Sequence, residues 1–325
     1  MVKMRILLTG ASGFIGSYLL EKLAELNHDL LNLDIAEKSV EECKARSVQI
    51  SLMDRVALQK TVQEFNPEIV IHLAAHTNPP SERLSDYKVN YQGTENLVFA
   101  LNNVVGLKNV VFISTQHVIA PGMSHAEPRV YKPLGVYGES KVLMEELIYK
   151  NAKFNFVVLR PTNVWGYGNL ILETGIWSTL RKGRYFHSKS ANCIRNFGYV
   201  ENVVWQISEF ATNWKDSYKS EIFYVGDENI NQYEWLNSFS KAFGHGNLRM
   251  IPNVLLIAIS KLGDLLEVMK VRFPLNSARY KNMITNNQVP IEKTFAAVGR
   301  GPFPLDVAVE KTVKLLAMRA INHDR

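Results

Sequence analysis

The chain has 325 residues, and its 37 lysines and arginines against 31 acidic residues give a formal net charge of +6. With 46% hydrophobic and 21% charged residues, the composition is that of a globular protein and excludes a disordered or fibrous chain. The two cysteines, Cys43 and Cys193, exclude a disulfide scaffold and indicate the reducing cytoplasm. Because the basic residues are scattered, an anionic small ligand explains the charge better than nucleic acid does.

The sequence predicts neither a secretory signal nor an integral membrane segment. The most apolar segment, 251–269, is interrupted by Lys261, Asp264 and Glu267, whereas a membrane span needs about 20 apolar residues. We expect an amphipathic helix there. A core role is expected for most of a set that comprises the apolar residues of 251–259 and the aromatics Trp165, Tyr167, Trp177, Tyr185 and Phe186. A role of this helix at a membrane surface is the alternative.

Strand and helix patterns alternate through the first half of the chain. Strands are predicted at 4–9, 30–34, 48–51, 69–73, 110–114, 156–160 and 221–225, and helices near 14–27, 55–65, 86–105, 137–152, 230–243, 252–269 and 305–321. This alternation indicates an α/β fold with a doubly wound parallel sheet. We expect one domain of 1–165 plus about 196–226, and a smaller, discontinuous one of about 166–195 plus 227–325.

A glycine-rich loop follows the first predicted strand and precedes a helix. Glycines at this point permit a tight turn and let the backbone approach a pyrophosphate at the helix N-terminus. The loop has the pattern G-x-x-G-x-x-G, and we expect a dinucleotide to bind Gly10, Ser12, Gly13, Phe14, Ile15 and Gly16.

An acidic residue, Asp34, ends the second predicted strand. A carboxylate there accepts hydrogen bonds from the adenosine ribose and repels a 2′-phosphate, so it favours NAD over NADP as the cofactor. Lys38 is the neighbour that could reverse this preference.

A tyrosine and a lysine four residues apart lie on one face of a helix, where the cation can lower the tyrosine pKa and make a general base. The chain has four such pairs, which begin at Tyr18, Tyr137, Tyr149 and Tyr185. Only Tyr137, paired with Lys141, begins a helix after the strand that ends near Thr115, and ligands gather at the carboxyl ends of such strands. We therefore expect Thr115, Tyr137 and Lys141 to be catalytic, with Ser114 as the competing hydroxyl.

These motifs, and several others in the same order, resemble the NAD-dependent epimerase/dehydratase family of extended short-chain dehydrogenase/reductases, over nearly the whole chain. The further matches are Met53-Asp54-Arg55, His72-Leu73-Ala74-Ala75, Asn90-Tyr91-Gln92-Gly93-Thr94, Arg160-Pro161-Thr162-Asn163-Val164 and Arg195-Asn196-Phe197. The resemblance implies a Rossmann-type domain and a smaller domain that closes over a nucleotide sugar. It also implies a homodimer formed through the helices near 86–105 and 137–152.

The resemblance assigns roles to individual residues. It implies that the dinucleotide contacts Asp54, Leu73, Ala74, Ala75, Asn90, Ser114, Tyr137 and Lys141, and that the substrate contacts His76, Gln116, His117, Asn163, Arg195 and Arg279. Lys141 would hold the nicotinamide ribose and lower the pKa of Tyr137, while Asn163 and Arg195 would bind the diphosphate. Arg272 competes with Arg279 for the role of a second diphosphate ligand. No metal ion is expected.

The sequence departs from the family where related dehydratases carry Asp-Glu after the catalytic threonine. Gln116 and His117 occupy these positions, and a glutamine cannot act as an acid, so dehydration by that route is disfavoured. His117 could be an acid or base, although a loop histidine bonded to backbone is the stronger interpretation.

The sequence therefore predicts a nucleotide-sugar 4-epimerase. The alternatives are an NAD(P)H-dependent reductase of a 4-keto nucleotide sugar, a reductase of an apolar ketone, and a non-catalytic NAD-binding protein.

Overall fold

The computed structural model describes residues 3–36, 45–77, 80–189, 192–271, 273 and 275–323. Lys38, Cys43 and Arg272, which the sequence analysis singled out, lie outside the described residues. The described residues divide into two compact units. The first unit contains 1–164, 200–227 and 290–302, and the second contains 165–199, 228–289 and 303–325. These boundaries differ from the predicted ones mainly at 196–199 and 290–302.

The described strands are β1 (Arg5–Thr9), β2 (Asp29–Asp34), β3 (Arg46–Gln49), β4 (Ile69–His72), β5 (Asn109–Ile113), β6 (Phe156–Pro161), β7 (Asn163–Trp165), β8 (Phe186–Ser188), β9 (Ile194–Tyr199), β10 (Glu221–Val225), β11 (Asn229–Asn231) and β12 (Arg249–Ile251). The α-helices are α1 (Phe14–Glu25), α2 (Arg55–Phe65), α3 (Thr94–Leu101), α4 (Gly135–Asn151), α5 (Leu170–Thr174), α6 (Ile176–Arg181), α7 (Val200–Thr212), α8 (Gln232–Ala242), α9 (Asn253–Val268), α10 (Ser277–Ile284), α11 (Glu292–Val298) and α12 (Leu305–His323). None of the described helices has the length and hydrophobicity of a bilayer-spanning segment.

A seven-stranded sheet forms the centre of the first unit, in the order β10-β6-β5-β4-β1-β2-β3. All of its neighbouring strands pair in parallel, which confirms the predicted doubly wound sheet. The central strands are buried on both faces, and this explains their uninterrupted apolar runs. The strand order reverses between β1 and β4, so a crevice for ligands lies beyond the carboxyl ends of these strands.

The region predicted as one helix over 86–105 is segmented. A 3₁₀ turn at Leu84–Tyr87 and a π-helical turn at Val89–Gly93 precede the α-helix α3. Asn90 lies in this π turn, and its side chain bonds to the backbone of His76. Helix α7 was not predicted, yet it packs on α1 and is buried along most of its length.

The second unit combines short strands with helices around an aromatic core. β9 pairs antiparallel with β11, and β12 pairs parallel with β8. The rings of Trp165 and Trp177 are buried and both pack against Phe239. The predicted core role is confirmed for these two tryptophans, but it is wrong for most apolar residues of 251–259, since Val254 and Leu255 on α9 are 78% and 49% exposed.

Candidate active site

The glycine loop joins β1 to α1 at the strand-order reversal. Gly10 has φ +76°, and a Cβ built on it would lie 2.6 Å from backbone atoms of Ala74. A Cβ on Gly16 would lie 2.5 Å from the carbonyl oxygen of Gly10. Gly10 is therefore required by the close approach of the segment after β4, and Gly16 by the packing of the loop itself. A Cβ on Gly13, by contrast, would meet only the Gly10 oxygen, at 3.3 Å.

The first turn of α1 presents backbone donors beside Gly13. The first intrahelical bond of this turn runs from the Ser17 amide to the Gly13 carbonyl at 2.9 Å. The preceding amides of Phe14, Ile15 and Gly16 have no acceptor within the helix, and no acidic residue occupies the first turn. Unpaired amides at a helix N-terminus bind phosphate, and the open side of Gly13 allows the approach. The loop therefore fits the diphosphate of NAD.

Asp34 accepts hydrogen bonds from the glycine loop and from the residues that follow Asp34 itself. Its two carboxylate oxygens accept from the amides of Ser12 at 3.0 Å and Ala36 at 3.1 Å. Each oxygen has a second lone pair, which leaves capacity for ribose hydroxyls. The side chain of Asn32 also supports the loop, since its oxygen accepts from the Ala11 amide at 3.1 Å, and the sequence analysis did not identify it.

Asp54 begins α2 as its N-cap, and its side chain accepts from the amide of Ala57 at 3.0 Å. The interaction stabilises the helix terminus whatever else the carboxylate contacts.

The strand-end segment Leu73-Ala74-Ala75 continues from β4 into the crevice, and Asn90 holds the residue that follows it. The amide group of Asn90 accepts from the backbone nitrogen of His76 at 2.7 Å and donates to the carbonyl of His76 at 3.1 Å. It also donates to the hydroxyl of Ser140 at 2.9 Å. Asn90 therefore fixes the loop after β4 relative to α4, while its side chain is fully buried.

A buried histidine connects two strands to the same helical turn. His72 lies between the hydroxyls of Thr9, at 2.6 Å from Nδ1, and Thr94, at 2.8 Å from Nε2. Thr94 donates to the carbonyl of Asn90 at 2.8 Å, so its oxygen accepts from His72 Nε2. Burial, with the charge of Lys141 as the smaller cause, lowers the pKa of His72 to about 3. The ring is therefore neutral and protonated on Nε2.

The hydroxyls of Thr115 and Tyr137 meet at the carboxyl end of β5. The Thr115 hydroxyl is a polar neighbour of Tyr137 that favours the phenolate and so acts to lower the pKa of Tyr137, and its oxygen accepts from the amide of His117 at 3.2 Å. The competing hydroxyl of Ser114 is used elsewhere, because it donates to Glu145 at 2.5 Å. The geometry thus selects Thr115 as the hydroxyl beside Tyr137.

A close backbone approach brings the start of α4 to this strand end. A Cβ on Gly138 would lie 2.5 Å from the carbonyl oxygen of His117, so only glycine allows the contact. The ring of His117 packs edge-on against Tyr137, with 6.3 Å between the ring centroids. Gln116 is buried beside it, in the 3₁₀ turn that follows β5.

The pKa of Tyr137 lies above that of an ordinary tyrosine. Burial raises the pKa of Tyr137 to about 12, although the Thr115 hydroxyl acts in the opposite direction. The causes that act on this pKa are burial, Thr115 and Tyr87, so the lowering of this pKa by Lys141 stays a prediction. The physical reason for the high pKa is that desolvation of the phenolate outweighs the neighbouring donor.

Lys141 is buried below Tyr137 on α4 and is 1% exposed. Its ammonium group donates to the carbonyl of Ile113 at 2.8 Å and contacts the sulfur of Met144 at 3.2 Å. Burial lowers the pKa of Lys141 to about 8, and the carboxylate of Glu145 opposes this shift. The lysine thus retains its charge at neutral pH and links α4 to the end of β5.

The residues predicted to bind the substrate diphosphate belong to different units. Asn163 is partly buried at the start of β7 in the first unit. Arg195, on β9 in the second unit, is 6% exposed and donates to Asn282 at 2.5 Å and to the carbonyl of Thr285 at 3.3 Å. Arg279 is exposed on α10 and donates to the carbonyl of Phe273 at 3.1 Å.

Comparison with known proteins decides the family. The family model described as "NAD dependent epimerase/dehydratase family" matches residues 6–226. The chain belongs to the NAD-dependent epimerase/dehydratase family. The identification confirms the predicted resemblance, and the family's cofactor agrees with the predicted use of NAD.

Curated relatives and solved structures extend the match beyond the first unit. An Escherichia coli protein named N-acetyl-alpha-D-glucosaminyl-diphospho-ditrans,octacis-undecaprenol 4-epimerase is 26% identical over 98% of this chain and 97% of its own length. A UDP-glucose 4-epimerase of Mycoplasma pneumoniae is 25% identical over 83% of this chain and 93% of its own. The structure of a Thermus thermophilus UDP-glucose 4-epimerase with NAD has a TM-score of 0.70 at 22% identity and covers 97% of this chain and 99% of that one. This structural similarity shows that the fold extends over the whole chain.

Two further site features of this epimerase/dehydratase-family chain were missed by sequence reasoning. Glu145 and Arg160 form a buried pair behind Ser114, and Gly138 permits the close approach of α4. Both depend on contacts between separate elements, which no local pattern of the sequence indicates.

Proposed function

We propose that this family member is an NAD-dependent 4-epimerase of a sugar bound through a diphosphate, with a nucleotide sugar as the substrate class. The observation that carries the proposal is the hydroxyl pair of Thr115 and Tyr137 at the carboxyl end of β5. Gln116 and His117 follow this pair in place of two carboxylates. The site thus has groups for moving a hydroxyl proton but lacks the Asp-Glu pair of related dehydratases.

The roles of the residues follow from their contacts. Tyr137 would accept the proton of the sugar hydroxyl during oxidation and return it after the ketone has turned over. The hydroxyl of Thr115 favours the charged form of the phenol, and it can also donate to the reacting oxygen. Lys141 would hold the nicotinamide ribose with its buried ammonium group. Such positioning of proton-transfer groups contributes about 10²- to 10⁴-fold to the rate.

NAD would be held by the amides of Phe14 to Gly16 and by the carboxylate of Asp34. When bound, it accepts a hydride from the sugar carbon and gives it back to the other face, so no net oxidation occurs. The residues of the chain supply orientation and proton transfer. Asn163 and Arg195 are proposed as ligands of the substrate diphosphate, because amide and guanidinium donors suit phosphate oxygens.

The experiment that tests this function uses a panel of UDP-, dTDP- and GDP-sugars. Products are identified by NMR while absorbance is followed at 340 nm. A 4-epimerase gives the 4-epimer without a lasting absorbance change. A 4-keto sugar reductase, the principal alternative, consumes reduced cofactor in proportion to product, and this outcome would replace the proposal.

A second candidate for the substrate class is a sugar diphosphate attached to a polyprenol. It is favoured by the relative from Escherichia coli, whose name specifies such a substrate and whose alignment covers 98% of this chain. The exposed apolar residues of α9 are a second observation in its favour. A polyprenyl-diphosphate sugar supplied in detergent or vesicles therefore belongs in the same panel.

A homodimer formed through α3 and α4 and a cytoplasmic location are part of the same proposal. The dimer rests on the family resemblance, and Phe99 on α3, with 43% of its side chain exposed, is a residue that such an interface would cover. Sedimentation velocity of the wild-type protein and of a Phe99→Glu variant tests the interface. A dimer that persists in the variant would place the contact elsewhere.

A further inference from the structure

Helix α9 has its apolar residues on the exposed side. Leu256, Ser260 and Gly263 are buried, and a Cβ on Gly263 would collide with the carbonyl of Leu275. At 100° per residue, these three residues define the side that faces the protein. The opposite side, which we call the α9 outer face, consists of Val254, Leu255, Ile257, Ala258, Lys261, Leu262, Leu265 and Val268.

The α9 outer face is apolar to an unusual degree for a surface helix, whose exposed side is ordinarily polar. Its exposed fractions include 78% for Val254, 59% for Leu265 and 82% for Val268. The residues extend over about 21 Å of helix at 1.5 Å per residue. A contiguous exposed apolar surface of this kind marks an interaction site.

The α9 outer face carries one charged side chain, the cation Lys261. The two acidic residues of α9 lie outside this face and bind the segment that begins α10, where Asp264 accepts from the amide of Ser277 at 2.9 Å and Glu267 accepts from Asn276 at 2.9 Å. The face is therefore apolar with a single cation, and the whole chain carries +6.

We propose that the α9 outer face binds the surface of an anionic lipid bilayer, with the helix lying in the interfacial plane. Apolar side chains on one side of a helix, together with the cation Lys261 among them, are features suited to such a surface. A second copy of the chain is the less suitable occupant, because symmetric pairing of this face would place like charges together. The proposal goes beyond the epimerase function, and it would bring the enzyme to a lipid-linked substrate if the second substrate class is correct.

Flotation of the full-length protein with vesicles tests the proposal without using enzyme activity. We expect wild-type protein to bind phosphatidylglycerol vesicles and to bind phosphatidylcholine vesicles at least about tenfold more weakly. The double variant Leu265→Ser, Val268→Ser should lose binding to phosphatidylglycerol by at least about tenfold, since binding scales with buried apolar area. The matched control is Val56→Ser, Val105→Ser, which changes two residues of the first unit that are 79% and 86% exposed and should bind like wild type.

A spectroscopic variant provides a second measurement. The indole introduced by Leu265→Trp should be quenched by brominated lipids in phosphatidylglycerol vesicles. Absence of wild-type binding, binding that survives the double Ser variant, or a wild-type dimer that this variant dissociates would each overturn the proposal. Epimerase activity is measured separately on a water-soluble nucleotide sugar. This measurement distinguishes failure of the proposed function from failure of the proposed membrane binding.

Discussion

The guanidinium of Arg160 and the carboxylate of Glu145 form an ion pair whose side chains are both 0% exposed, with 2.7 Å between Nη2 and Oε2. A second bond joins Nε to Oε1 at 2.9 Å. Glu145 also accepts from Ser114, and Arg160 donates to the hydroxyl of Tyr224 at 2.9 Å. The pair thus ties α4 to the ends of β5 and β6, which is where Tyr137 must face Thr115.

Removing one member of this pair should destabilise the protein. Glu145→Gln leaves the buried guanidinium without its counter-charge, and we expect the free energy of unfolding to fall by about 3 kcal/mol. The loss of the carboxylate should also lower the pKa of Lys141 further, because Glu145 opposes the effect of burial there. Urea denaturation measures the first effect. Glu146→Gln, at the exposed neighbouring position, is the control. An equal decrease in the free energy of unfolding in both variants would contradict a stabilising role for the buried ion pair.

Two glycines of the loop should respond differently to alanine. Gly10→Ala requires a Cβ at φ +76° and 2.6 Å from Ala74, so we expect thermal unfolding at a clearly lower temperature. Gly13→Ala meets only the Gly10 oxygen at 3.3 Å, so its stability should remain near that of wild type. Its affinity for NAD, measured by calorimetry, should fall by about tenfold or more because the methyl group occupies the approach to the diphosphate. Tight NAD binding by Gly13→Ala would exclude this placement of the cofactor.

His72 should make stability depend on pH. The pKa of His72 is about 3 in the folded protein and near 6.5 when unfolded. Between these values the unfolded chain binds a proton that the folded protein does not. Stability therefore falls as the pH decreases through this range, by up to about 1.4 kcal/mol per pH unit.

The variant His72→Gln should remove this part of the slope in urea denaturation between pH 7 and pH 5. His245→Gln, at an exposed position, should retain the wild-type slope. An unchanged slope in His72→Gln would show that the ring is not buried in its neutral form.

The pKa of Tyr137 should fall when NAD binds. Burial raises the pKa of Tyr137 to about 12, and the positive charge of an oxidised nicotinamide ring favours the phenolate. Ultraviolet titration of wild type and Tyr137→Phe, with and without NAD, isolates the signal of this residue. A titration of Tyr137 that NAD leaves unchanged would argue that the ring binds elsewhere.

The sequence predicted features that depend on local pattern. The buried strands β1, β2, β4, β5 and β6 were recognisable because a parallel sheet covered on both faces leaves continuous apolar runs. The glycine loop was recognisable because its glycine spacing, directly between a predicted strand and a predicted helix, is typical of a dinucleotide-binding turn. The close approach of Ala74 to Gly10, by contrast, is a contact with a distant segment that the loop sequence does not reveal.

Other features depend on contacts between distant segments. Helix α7 was not predicted from the sequence. It packs against α1 and is buried along most of its length, and this contact joins segments that are far apart in the sequence. The high pKa of Tyr137 arises from burial, which the spacing of Tyr137 and Lys141 does not reveal. The outward apolar side of α9 contradicts the core role predicted for 251–259, because hydropathy identifies apolar residues but not the side of the helix that packs.

The central claim is that the phenol of Tyr137 transfers the proton during sugar oxidation, and the activity of Tyr137→Phe tests it most directly. Tyr149→Phe is the matched control, because Tyr149 also precedes a lysine by four residues but donates to the carbonyl of Ser220. With the substrate identified by the panel, we expect epimerisation by Tyr137→Phe to fall about a thousandfold while its affinity for NAD changes little. Tyr149→Phe should retain most of its activity. Epimerisation by Tyr137→Phe at a rate close to wild type would contradict the claim.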